Sequence, residues 1–319
     1  MPIPMNWKAL VLGALAAWSA TAAWATEGHC RDDDRPAITF VQFPSPNIDP
    51  QTAPTQPMLT IKAKLSIPRA CGRGSQRVPA VVIAHGSGGV DGLGDFYESA
   101  LNEAGIATLQ INMWEARGVT GVANRPRAPI LTYPDAFSAL GFLAAHPRIV
   151  PTRIGILGFS WGAAISLGSA EKLYAGMFGG GRQFKAHVAN YPPCYAANNT
   201  TIPVLNPPSQ TGTQFLNLTG APVMIQIGSK DDYDNGTEHC KALARTVNPL
   251  NHNAVQVVEV EGAYHGWDRL TVPFTTADPF ANEGSYFRTG SLPPVRFVPD
   301  VESAYDSRER VARFFKRKL

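Results

Sequence analysis

The sequence predicts an α/β protein built on a mostly parallel sheet of about eight strands, with an antiparallel N-terminal start and helices on both faces. Three observations predict it. From Ala80 onward, short continuous β-branched runs alternate with helical patterns, which is how strands buried on both faces read. Ahead of them, two runs alternate apolar and polar residues, which is how half-buried strands read. The composition, 44% hydrophobic and 17% charged over 319 residues, is that of a globular chain, not of a disordered one or a membrane bundle.

The first two strands span Ile38 to Phe43 and Leu59 to Ile67, joined by a Pro-rich connection from Pro44 to Pro57. Continuous runs follow at Ala80 to Ala84, Ile106 to Ile111 and Arg153 to Leu157, with helices expected over Phe96 to Ala104 and Pro134 to Ala145. This repetition requires right-handed crossovers between parallel strands. Further strands are expected at Ala186 to Asn190, Val223 to Ile227 and Val255 to Val260, before a closing helix from Arg308 to Lys318. Two stretches break the pattern, Ala196 to Gly220 and Arg269 to Phe297. Irregular segments longer than roughly 15 residues tend to be functional, so both are candidate covers for a site. The second holds Phe274, Phe280, Tyr286 and Phe287, which suit an apolar acyl or aryl group or else hold the segment down. No boundary for a second domain is visible.

Charge and targeting narrow the function class. Twenty-eight Lys and Arg against 25 Asp and Glu leave no basic footprint for nucleic acid. Lys8, an apolar run from Ala9 to Trp18 and Ala23-Trp24-Ala25 have the organisation of a secretory signal peptide. Residues 1–25 are expected to be removed, leaving 26–319 as one secreted or periplasmic domain. The apolar run is shorter than the ~20 residues that span a bilayer, so no stable membrane anchor is expected after cleavage. In an oxidising compartment the four cysteines, Cys30, Cys71, Cys194 and Cys240, should pair. Three connectivities are open. Cys30 with Cys71 would staple the N-terminal segment, and Cys194 with Cys240 would tie two loops on one sheet face. No two cysteines have metal-ligand spacing.

Gly158-Phe159-Ser160-Trp161-Gly162 follows an apolar strand and opens a small-residue helical segment, Ala163 to Gly168. This is the context of the G-x-S-x-G nucleophile elbow, in which a sharp strand-to-helix turn exposes the serine hydroxyl. A serine needs a base, and the base needs an orienting acid. Asp231 and Asp232 lie just past the strand ending at Ile227, with Asp234 close behind, and His265 lies in the loop after the strand ending at Val260. The chain order Ser, Asp, His is that of the α/β-hydrolases. His29, His146, His187, His239 and His252 sit in positions that suit solvated or packed imidazoles. His85 opens His85-Gly-Ser-Gly-Gly89 directly after a strand and reads as a loop-shaping side chain. That turn lacks the spacings of phosphate-binding loops. Its role in acyl transfer is to supply an oxyanion donor, the amide of Ser87, beside the amide of Trp161.

Together, His85-Gly-Ser-Gly-Gly89, Gly158-Phe-Ser-Trp-Gly162, Tyr191-Pro-Pro-Cys194, Gly228-Ser-Lys-Asp-Asp232 with Cys240 eight residues on, and Ala263-Tyr-His-Gly266 resemble the dienelactone hydrolase family within the α/β-hydrolase fold. The resemblance covers about residues 60 to 268. It implies a triad on a parallel sheet, hydrolysis of a carboxylic ester or lactone, and Asp231 as the acid, from the Gly228-x-x-Asp231 match. The best-known family members carry cysteine where Ser160 stands, and this departure fits a serine esterase better than a lactonase. The expectation is therefore a serine hydrolase of a small-molecule carboxylic ester with Ser160, Asp231 and His265 catalytic, Ser87 and Trp161 at the oxyanion, and no metal or organic cofactor. Amide, peptide or lactone cleavage by the same triad, and a catalytically silent binding protein of the same fold, are the alternatives.

Overall fold

A computed structural model describes residues 35–68, 76–198, 215 and 217–319. The expected signal peptide, Cys30, Cys71 and most of the 196–220 segment lie outside the described residues.

The strands are β1 (Ala37–Pro46), β2 (Met58–Ile67), β3 (Val78–Ala84), β4 (Ala107–Asn112), β5 (Ile149–Phe159), β6 (His187–Asn190), β7 (Val223–Gly228) and β8 (Val255–Val260). They form one sheet in the order β1-β2-β4-β3-β5-β6-β7-β8. The expected antiparallel start is present, β1 on β2 and β2 on β4, and every later pairing is parallel. β2 alternates exposed and buried positions over most of its length and β1 only from Val41 onward, whereas β3 and β7 are almost wholly buried. Patterning and burial agree for β2, β3 and β7, the last two being covered on both faces, but not at the start of the edge strand β1, where Ile38 and Phe40 of the expected half-buried run are exposed.

The helices are α1 (Gly92–Glu103), α2 (Tyr133–Ala145), α3 (Trp161–Ser169), α4 (Lys172–Phe178), α5 (Cys194–Asn198), α6 (Glu238–Val247), α7 (Ala281–Gly284), α8 (Tyr286–Thr289) and α9 (Val301–Lys318). Two cores result. Val81, Ile83 and Leu157 point to one face, where they join Tyr97 and Leu101 of α1 and Phe314 and Phe315 of α9. Val82, Ala84 and Ile156 point to the other, with Phe137 and Leu140 of α2. This split follows from the two-residue period of a strand. No helix among the described residues is long and apolar enough to cross a membrane.

Three regions depart from the expectation. The closing helix starts at Val301, not Arg308, because Asp300 caps it by accepting the Ser303 N–H at 2.9 Å. The 269–297 segment is not irregular throughout: β9 (Phe274–Ala277) and β10 (Pro294–Phe297) pair antiparallel, with α7 and α8 between them. Cys194 and Cys240 form a disulfide, as expected, with Cα atoms 5.0 Å apart. Both cysteines, however, sit in helices α5 and α6 and not in loops. The helical pattern of α6 was present in the sequence: Cys240, Leu243, Ala244 and Val247 are its buried residues, spaced as one helix face requires.

Candidate active site

Ser160 stands at the turn from β5 into α3 with φ 50° and ψ −106°, a conformation that costs a non-glycine residue energy and marks functional turns. The flanking glycines explain how the turn closes. A Cβ on Gly158 would lie 1.9 Å from the Gly162 carbonyl oxygen, and one on Gly162 would lie 2.1 Å from that of Ala84. The Ser160 N–H is anchored to the Asn190 carbonyl at 3.0 Å.

The structure brings Ser160, His265 and Asp231 into one hydrogen-bonded line. His265 Nε2 lies 2.9 Å from Ser160 Oγ, and its Nδ1 lies 2.7 Å from Asp231 Oδ2. The second Asp231 oxygen accepts the Tyr233 N–H at 2.8 Å. With Asp231 accepting from Nδ1–H, Nε2 is left as an acceptor for the serine proton. The imidazole is wholly buried among the rings of Tyr233, Tyr191 and Phe297, with centroids 4.2, 4.8 and 5.5 Å away. Gly228 lets the acid loop reach the histidine loop, since a Cβ there would meet the Ala263 carbonyl oxygen at 2.3 Å.

The other acids are engaged elsewhere. Asp232 takes the Arg296 guanidinium at 2.6 and 3.1 Å and the Arg296 N–H at 2.8 Å. That partner lies in β10, 64 residues along the chain, and no local pattern points to it. Asp234 accepts the N–H groups of Cys194 and Tyr195 at the start of α5. Burial, reinforced by the Asp231 charge, pushes its carboxyl well above the usual range.

His85 shapes its loop, as expected. Its Nδ1 lies 2.8 Å from the Gly86 carbonyl, and its Nε2 accepts the Met113 N–H at 3.0 Å. Burial lowers its pKa to about 4, so the ring is neutral at neutral pH. The turn is fixed further by the Trp114 indole N–H, which donates to the Ser87 carbonyl at 3.0 Å. Ser87 lines the same cleft as Ser160. Trp161 is the first residue of α3, where a helical N–H has no intrahelical acceptor. Its indole N–H donates to Thr132 Oγ1 at 3.0 Å. His187 is buried in β6 with its pKa lowered to about 4 by desolvation, and its Nδ1 lies 3.0 Å from the Ser166 carbonyl. His239 pairs with Glu283 at 3.1 Å, and His29 lies outside the described residues.

Several residues beside the site were not named from the sequence. Asp268, three residues past His265, is buried and accepts from the Tyr97 and Tyr191 hydroxyls at 2.6 and 2.8 Å and from Asn190 Nδ2 at 3.3 Å. Burial pushes its carboxyl up, against the bonds that favour the charged form. Through Tyr191 it supports one side of the His265 ring. Of the aromatic residues in the 269–297 segment, only Phe274 and Phe297 line the cleft, stacked at 4.6 Å. Phe280 packs on Trp161 and Phe287 instead.

The sheet order with a strained serine after β5, an acid after β7 and a histidine after β8 decides the architecture. The chain has the α/β-hydrolase fold. No family model matches the sequence, and no curated protein is significantly similar to it. Among solved structures, it is similar to the esterase of Pyrobaculum calidifontis at a TM-score of 0.52 and 14% identity, over 88% of this chain and 85% of that one. It is similar to the dienelactone hydrolase of Anabaena variabilis at 0.53 and 15%, over 89% and 99% of the two chains. Esterase 2 of Thermogutta terrifontis, in a form phosphoramylated by tabun, is similar at 0.52 and 15%, over 80% and 88%. At these identities the likeness is one of fold, and α/β-hydrolases of this fold include both dienelactone hydrolases and esterases.

Proposed function

We propose that this α/β-hydrolase-fold chain is a serine hydrolase that cleaves carboxylic esters through an acyl-enzyme. The observation that carries the reading is the unbroken line from Asp231 through His265 to Ser160, with spacings of 2.7 and 2.9 Å. In the first half-reaction Ser160 Oγ bonds to the ester carbonyl carbon while His265 Nε2 takes its proton. The carbonyl oxygen becomes an oxyanion facing the amides of Ser87 and Trp161, and Asp231 stabilises the imidazolium. Collapse breaks the bond to the alcohol oxygen, which leaves with the proton from Nε2. Water then repeats the sequence on the acyl-serine, delivering its proton to Nε2 and releasing the acid.

The disulfide between Cys194 and Cys240 supports export of the chain, since such bonds persist in oxidising compartments. Cleavage after Ala25 would release the protein from its leader. The deciding experiment is fluorophosphonate labelling combined with a chromogenic panel of an ester, an amide and a lactone. Stoichiometric labelling at Ser160, lost in Ser160→Ala together with ester turnover, is expected. An unlabelled chain that turns over no panel member would point to the silent binding protein, and preferential amide turnover to a peptidase-like enzyme.

A further inference from the structure

Besides the neutral His85, the charged side chains that line the cleft among the described residues are Asp91, Arg269 and Asp278. Each faces an opposite charge. Asp278 is held at two points by Arg125, with both N–O separations 2.8 Å and both side chains under 5% exposed. The Arg125 guanidinium lies over the rings of Trp161 and Phe280, with centroids 5.2 and 5.1 Å away. Asp91 Oδ2 lies 2.8 Å from Arg269 Nη2, and that guanidinium lies against Phe274 and Phe297. With both arginines answered by carboxylates, the described part of the wall carries no uncompensated charge. An ionised substrate entering it would lose hydration without gaining a partner.

Resting on the serine-hydrolase reading, we propose that the enzyme selects uncharged esters and that Asp91 sets this selection by occupying Arg269. Asp91 ends the glycine-rich turn that carries Ser87, and Arg269 opens the 269–297 segment, so the pair ties together two segments that line the cleft. The two side chains are 35% and 26% exposed, which makes this pair, unlike the buried Arg125–Asp278 pair, accessible to an incoming group. The carboxylate divides its work. Oδ1 accepts the Leu93 N–H at 3.1 Å and caps α1, while Oδ2 meets the arginine. Asparagine caps helices as well as aspartate does, so Asp91→Asn keeps the cap and removes the charge. Arg269 Nε has no hydrogen-bond partner among the described residues. That nitrogen is buried, so the donor an anionic substrate would take once Asp91 is neutralised is Nη2, which lies 3.6 Å from where a Cβ on cleft-lining Gly88 would stand.

The test uses p-nitrophenyl esters whose acyl chains have equal length and end in a methyl, a carboxylate or a trimethylammonium group. They are compared at low ionic strength on the wild type, Asp91→Asn and the double variant Asp91→Asn/Arg269→Gln, with Asp91→Ser as a second capping replacement should the first fail to fold. The wild type should prefer the methyl-ended ester over both charged ones. Asp91→Asn should raise the carboxylate-to-methyl ratio of kcat/KM by about fivefold, the size of a partly exposed charge pair, mainly through KM. Salt should erase the gain, and the double variant should lose it. Wild-type preference for the carboxylate-ended ester, an unchanged ratio in both folded Asp91 variants, or a gain that survives loss of Arg269 would overturn the proposal while leaving the triad reading intact. A chain inert to all three esters and unlabelled by fluorophosphonate would overturn that reading, and this inference with it.

Discussion

On the proposed serine-hydrolase reading, replacing Asp231 with asparagine should abolish ester turnover, and replacing its neighbour Asp232 should not. Asp231 Oδ1 accepts a backbone N–H from Tyr233, so the single oxygen of an asparagine would be drawn to that donor and its NH2 turned toward His265 Nδ1. An imidazole facing a donor at Nδ1 must carry its proton on Nε2, the atom 2.9 Å from Ser160 Oγ. The base is then occupied by the proton it should be free to accept. Loss of the correct tautomer costs on the order of 10⁴-fold in turnover, or about 5.4 kcal/mol of barrier. Asp232 makes its ion pair with Arg296, whose side chain is 53% exposed. Losing a pair of that kind costs about 0.5–1 kcal/mol of stability and leaves the histidine untouched. The assay is kcat/KM on a neutral p-nitrophenyl ester across pH 6 to 9, with thermal unfolding of each variant as the control for folding. The reasoning is wrong if Asp232→Asn is the crippled variant, or if Asp231→Asn keeps more than about one tenth of the wild-type rate when the reference loss is ~10⁴-fold.

Ser160→Ala should lower ester turnover by roughly 10⁴-fold or more without shifting the unfolding midpoint appreciably, read by a chromogenic assay and calorimetry. Reducing Cys194–Cys240, which closes a loop of sequence separation 46, should destabilise the protein by about 2–4 kcal/mol. Urea unfolding of Cys194→Ser/Cys240→Ser against the wild type measures this, and peptide mapping that recovers Cys194 as a free thiol would remove its premise. Buried His187 makes stability depend on acid: its folded pKa of about 4 lies below the unfolded value of 6.5. The unfolded chain therefore binds more protons between those values, and the stability that is fully present above pH 6.5 is lost as pH falls toward 4. His187→Asn should reduce the difference in unfolding free energy between pH 7.5 and pH 5 by about 2 kcal/mol, and an identical pH slope in the variant would contradict the assigned cause.

Local signals carried most of the fold. The strands Val78–Ala84 and Val223–Gly228 were legible because burial on both faces forces continuous apolar runs. The elbow was legible because its two glycines, its serine and the strand before them are contiguous. The acid was harder to read, since Asp231, Asp232 and Asp234 stand within four residues and their directions depend on partners in β10 and α5. The 269–297 segment read as irregular because β9 and β10 have four residues each and are separated by 16 others. Arg125 and Asp278 were illegible for the same reason in stronger form. They lie 153 positions apart, and nothing near either residue announces a buried partner.

The site's dimensions are set by backbone contacts more than by side-chain packing. The segments that assemble it approach each other at three glycine contacts: Gly158 against the Gly162 carbonyl, Gly162 against the Ala84 carbonyl, and Gly228 against the Ala263 carbonyl. A methyl group at any of the three would come within 2.4 Å of a carbonyl oxygen, well inside van der Waals contact. The first two contacts fix where the serine stands relative to the glycine-rich turn with Ser87. The third fixes where the acid loop stands relative to the histidine loop. Side chains hop between rotamers, but a backbone closed on backbone has no such freedom. Ser160 keeps its costly φ of 50° because the strand before it and the helix after it are both held by these contacts, and relaxing the serine would require one of them to open. The hydrogen bonds of 2.7 and 2.9 Å are then consequences of three close approaches that only glycine permits.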